Sequence, residues 1–223
     1  MRSMFALART AGLSITLALV AGCSGVAQRQ DTSRIELLAL LQTLNADLLS
    51  HDSATLTLER WCADHRLAEP ARIVAQRVQG QAKAIPDDLR VWLSIDAAEP
   101  VAYRHVQLVC GAHVLSEADN WYVPARLTEA MNVRLQNSDE PFGKVVKALG
   151  FRRQTLSAEL LWSPLPTHWE MTAAPPAREM LRIPQLVLRH QAVLYSSAQQ
   201  PFSVVVENYT SALFDFRRWD VPR

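Results

Sequence analysis

The chain has 223 residues, with 23 Lys+Arg against 22 Asp+Glu, a formal net charge of +1, 49% hydrophobic residues and 20% charged ones. That length suits one domain, and the apolar share is enough for a core and too large for a disordered chain. The near balance of charge excludes the strongly basic chain of a dedicated nucleic-acid binder, so no nucleic-acid partner is expected.

The elements are predicted in chain order. Residues 1–9 carry Arg2 and Arg9 and no acid, and an apolar run over 11–21 follows. This run is too short to span a bilayer, and the pattern is that of a secretory signal peptide over 1–22. Its end, Leu19-Val20-Ala21-Gly22-Cys23, looks like a bacterial lipobox. It predicts cleavage before Cys23 and acylation of its thiol, a membrane partner through that lipid anchor, and an envelope protein facing the periplasm. Ser24 follows the cysteine where an inner-membrane retention signal has Asp, which points to the outer membrane. A short tether over 23–32 then leads to one domain over 33–216.

Ser33-Arg34-Ile35-Glu36 reads as a capping box opening a helix over 35–49, and a second helix is expected over 53–65. A strand over 72–80 and a turn or helical turn at Pro86 come next. Strands over 103–109 and 114–123 flank a hairpin turn at Cys110-Gly111-Ala112-His113. A helix over 127–135, a short one from Pro141 to Gly150 and a strand over 154–162 follow. Residues 163–182 hold four prolines and predict an irregular excursion, before two closing strands over 186–195 and 201–209. Helices that come first and between hairpins, with strands joined by short turns, describe an α+β domain with an antiparallel sheet.

No GxSxG, HExxH, Walker A or GxGxxG pattern is present, and the six histidines lack ligand spacing, so neither a metal nor a cofactor is expected. With Cys23 set aside, Cys62 and Cys110 remain; either a disulfide or two separate buried thiols fits them. Two charged residues interrupt apolar strand faces. Alternation places Arg104 with Val106, Leu108 and Cys110, and Glu207 with Ser203, Val205 and Tyr209. A charge turned inward is costly unless paired, so the two either satisfy each other, lie at the sheet's wet edge, or answer a ligand.

His51-Asp52-Ser53, Tyr103-Arg104-His105-Val106-Gln107-Leu108, Trp121-Tyr122-Val123-Pro124, Glu140-Pro141-Phe142-Gly143-Lys144 and Pro201-Phe202-Ser203-Val204-Val205-Val206-Glu207 occur in that order along the chain. In order and rough spacing they resemble the chorismate pyruvate-lyase family, over roughly 37–210. The resemblance implies a six-stranded antiparallel sheet with helices on one face, enclosing a pocket for a small aromatic acid. It carries the family's ligand-binding arginine onto Arg104, with His105 as the alternative alignment. The binding glutamate falls on Glu207, a ligand-contacting leucine on Phe142 and a methionine on Ala54. Phe142 and Ala54 are respectively larger and smaller than the residues they replace, which implies a reshaped pocket.

The chemistry implied is elimination of pyruvate from chorismate or a related compound, leaving 4-hydroxybenzoate, driven by aromatisation without a cofactor. Arg104 would capture a carboxylate by bidentate hydrogen bonds. Glu207 would recognise the ring hydroxyl or manage a proton. Chorismate is cytoplasmic whereas the chain carries an export signal, so two other readings stand beside the lyase: a lipoprotein that binds a small aromatic acid without catalysis, and an envelope scaffold.

Overall fold

The computed structural model describes residues 21–80, 82–172 and 181–217, with backbone alone over 21–32. Residues 1–20 of the predicted signal peptide over 1–22, and part of the predicted excursion, 173–180, lie outside the described residues, as does the side chain of Cys23.

Six strands form one antiparallel sheet: β1 (Ile73–Arg77), β2 (Ala102–Cys110), β3 (His113–Tyr122), β4 (Arg152–Leu160), β5 (Leu186–Tyr195) and β6 (Pro201–Thr210), in the order β1-β2-β3-β6-β5-β4. All six match predicted strands, to within a few residues at their ends. The β2–β3 hairpin turns at Gly111, whose φ of +59° suits glycine. A Cβ there would stand 2.6 Å from that of Ala68, so the turn also needs the missing side chain. The β5–β6 hairpin closes with Ser196 N donating to Gln200 O at 2.9 Å. The two hairpins are joined through β3 and β6, with Ala118 opposite Glu207 and Asn120 opposite Val205.

One face of the sheet is covered by α1 (Ala21–Ser50) and α2 (Ala54–Asp64). Leu37, Leu41, Leu44 and Leu48 recur at helical spacing on α1 and are fully buried against Val106, Leu108, Leu188 and Tyr209. The helix does not start at the capping box: its backbone is already helical at Ala21, and continued helix satisfies the same N–H groups that Ser33 and Glu36 were expected to cap. α4 (Glu129–Asn137) and α5 (Phe142–Val145) pack a second apolar cluster around Phe142, Phe202 and Tyr122. α3 (Asp87–Leu93) lies on the opposite face, where Leu89 and Leu93 bury against Trp121, Val193 and Val204. The opposite face is therefore covered as well.

Of the two arrangements open to the cysteines, the structure has the disulfide. Cys62 of α2 and Cys110 at the end of β2 are joined, with Cα atoms 6.6 Å apart and both residues fully buried. The bond fastens α2 over the sheet. At its other end, Ser53 caps α2 by accepting from Leu56 N at 3.3 Å, and Asp52 Oδ1 accepts from Arg153 N of β4 at 2.8 Å. Among the described residues no helix is long and apolar enough to cross a membrane.

Candidate functional site

Alternation along β2 and β6 turns Arg104 and Glu207 to the helix-covered face, where they line one cavity between the sheet, the first turn of α2 and α5. The cavity measures about 50 Å³, several times the ~10–15 Å³ that one water requires. Apolar surface from Val106, Leu194, Val205, Phe142 and Phe151 makes most of its wall. Ala54 and Gly143 form the helical side. α5 approaches so closely there that a Cβ on Gly143 would lie 3.0 Å from Ser53 Oγ.

Arg104 is 3% exposed. Its Nη2 donates to the carbonyls of Ser138 and Glu140, both at 3.1 Å, in the turn that follows α4. Its Nε and Nη1 have no partner among the described residues. Burial, helped by the nearby Arg77, lowers its pKa to about 10, while Tyr122 and Asp139 oppose the shift. Two nitrogens of a buried cation, with three N–H groups between them, thus remain for an acceptor that the described residues do not supply. Across the ladder stands Asn120, whose Oδ1 accepts from Ser203 Oγ at 2.8 Å.

Glu207 is not the partner of Arg104. Its Oε2 accepts from Arg153 Nη2 at 2.6 Å and from the Tyr209 hydroxyl at 3.1 Å. The ion pair is buried, with side chains 4% and 8% exposed. Burial works against the Arg153 charge, but Glu207 prevails and holds the guanidinium's pKa above its ordinary value. Burial and the same carboxylate push the Tyr209 hydroxyl far up, keeping it neutral. His190, opposite Glu207 on β5, packs edge-on against Tyr209 and bonds Asn45 Oδ1 of α1 through Nε2 at 2.9 Å. Burial, with Arg153 acting in the same direction, lowers its pKa to about 4 despite Glu207.

The structure brings Arg104, Glu207, Phe142 and Ala54 to one cavity and leaves His105 out. Strand alternation sends His105 to the opposite face, where its Nδ1 lies 3.0 Å from Asp119 Oδ1, beside Tyr103 and Lys83 on the same carboxylate. Of the alternatives open to Arg104 and Glu207, mutual pairing is not the one found: Glu207 pairs with Arg153 instead. Arg153 was missed: it sits in β4 between Arg152 and Gln154, so no apolar contrast marks it as inward. Among the described residues no group of three or more His, Cys, Asp or Glu side chains is placed to hold a metal ion.

Uncharacterized protein y4mC of Sinorhizobium fredii (strain NBRC 101917 / NGR234) is 54% identical over 187 residues, 82% of this chain and 79% of that protein. The chain belongs to the y4mC family. No family model matches it. Solved structures similar to this y4mC relative include the effector domain of PhnF from Mycobacterium smegmatis, with 13% identity over 72% of this chain and 89% of that one, and a TM-score of 0.47. A GntR-family transcriptional regulator from Enterococcus faecalis V583 has 12% identity over 67% and 99%, with a TM-score of 0.40. The possible transcriptional regulator YydK from Bacillus subtilis has 12% identity over 68% of this chain, which spans 61% of that chain, with a TM-score of 0.39.

These findings correct the expectation of an exported lipoprotein member of the chorismate pyruvate-lyase family: the named relative is y4mC, and the solved structures are regulators. The physical reason lies in the motifs themselves. Alternating strands, a tight hairpin and a proline-led short helix specify the sheet and its cover, and a sheet of this shape does not specify a reaction. The lipid anchor expected at Cys23 gains no support either. The function of this y4mC relative is argued from its own site.

Proposed function

We propose that the chain binds a small carboxylic acid with an apolar, aromatic body in the cavity between the sheet and α2. The observation that carries this reading is Arg104, a buried guanidinium lining the cavity with Nε and Nη1 unpartnered among the described residues. A carboxylate supplies charged acceptors for those donors. The apolar walls, with Phe142 and Phe151, suit the flat remainder of such a ligand. Binding without turnover is favoured over a lyase reaction by Glu207. The residue expected to manage a proton shares one carboxylate oxygen between Arg153 and Tyr209.

The test is calorimetric titration of the full chain with benzoate and 4-hydroxybenzoate, alongside neutral benzamide. The expected outcome is binding of the acids and a loss of at least tenfold in Arg104→Gln, since a hydrogen bond to a charged group contributes about 1.5–3 kcal/mol. Equal binding of benzamide, or undiminished binding by the variant, overturns the reading. The buried Cys62–Cys110 bond supports a further part of it, that the protein works in an oxidising compartment outside the cytoplasm.

A further inference from the structure

We propose that the Arg153–Glu207 pair sets the charge of the site, leaving Arg104 as its single unbalanced cation, so that the cavity selects a singly charged acid over neutral and doubly charged relatives. This rests on the reading of the cavity as a carboxylate site and adds the charge class of the ligand. The buried charged side chains lining the cavity are Arg104, Arg153 and Glu207. Tyr209 and His190, packed against the ion pair, are neutral at pH 7 because burial disfavours their charged forms. The sum is one positive charge. Asp52 also lines the cavity, but it is exposed, where water and salt screen it, and its Oδ1 is engaged by the Arg153 backbone N–H. Outside the cavity Arg77 adds to the positive field at Arg104, and Asp139 opposes it.

A buried ion pair is close to self-compensating, whereas a lone buried charge is costly until a counter-charge arrives. Glu207 without Arg153 would itself be the anion facing Arg104, and would repel an incoming carboxylate. Arg153 is therefore a positioning residue. It acts through Glu207, by holding that carboxylate as its own partner.

The experiment titrates the full chain with benzoate, benzamide and terephthalate, and repeats the titrations in four variants. The wild-type chain is expected to bind benzoate at least tenfold tighter than either relative. Arg153→Gln loses at least tenfold for benzoate, and Arg153→Lys, which keeps the charge, regains most of it. The double variant Arg153→Gln/Glu207→Gln restores the single positive charge and recovers most of what the single variant lost. Glu207→Gln leaves two cations, and terephthalate then binds at least as tightly as benzoate. This last arm does not depend on Arg153→Gln folding. Benzoate binding unaffected by Arg153→Gln, or a terephthalate preference unmoved in Glu207→Gln, sinks the charge assignment while the Arg104 reading stands. Absence of any carboxylate binding in the wild-type chain removes both.

Discussion

His190 has no exposed surface, and its Nδ1 has no hydrogen-bond partner among the described residues. Its pKa falls from 6.5 to about 4, chiefly through burial, with Arg153 adding to the shift and Glu207 resisting it. Between those values the unfolded chain takes up a proton that the folded one refuses. Stability is therefore lost as pH drops through that window and levels off below it, by on the order of 2 kcal/mol. Urea midpoints measured at intervals from pH 7 to pH 4 should show that slope, and His190→Asn should flatten it; an unchanged slope in the variant counts against the assignment. Arg104 and Glu207 were legible as inward charges because each interrupts a run of apolar neighbours two residues apart. Arg153 and His190 were not, because what turns them into a cluster with Glu207 is pairing across β4, β5 and β6, far apart in the chain.

At the scale of elements, the strands and short helices were readable because they carry their own local instructions. Ser53 and Thr128 cap α2 and α4 with their hydroxyls, and Pro86 and Pro141 precede α3 and α5. The start of α1 was misread because Ser33 and Glu36 look the same at the start of a helix as inside one. The cysteine pairing was undecidable because it depends on where α2 lies over β2. That bond closes a span of 48 residues and ties the helix whose first turn walls the cavity to the strand that carries Arg104. Loss of a loop closure of this size costs about 2–4 kcal/mol. Reduction under mild denaturant, or Cys62→Ala/Cys110→Ala, should lower the unfolding midpoint accordingly and weaken benzoate binding. A midpoint that does not respond to reductant would mean the bond contributes nothing to the fold.

For the molecule as a whole, the sheet was legible as antiparallel from its turns, but the opposite-face cover by α3 was not. Leu89 and Leu93 face the sheet while Val91 stays 74% exposed, a pattern that fits either face until the helix is docked. The buried disulfide also bears on where the protein works. Alkylation of acid-quenched, denatured cells should modify Cys62 and Cys110 only after reduction; modification without it would place the chain in a reducing compartment and refute the proposed location.

The strand order has a consequence for synthesis. β6 lies in the middle of the sheet and holds its two halves together, yet it is the last of the six strands in the chain. About 80 residues separate the end of β3 from the start of β6, an interval of roughly 4–16 s on a translating ribosome. Throughout that time the first hairpin emerges with the β3 edge unpaired, a template for pairing with other chains. Glu207 arrives later still, so the cavity is completed only after all six strands have been synthesised, and a holding factor acting before that moment protects an edge rather than a site.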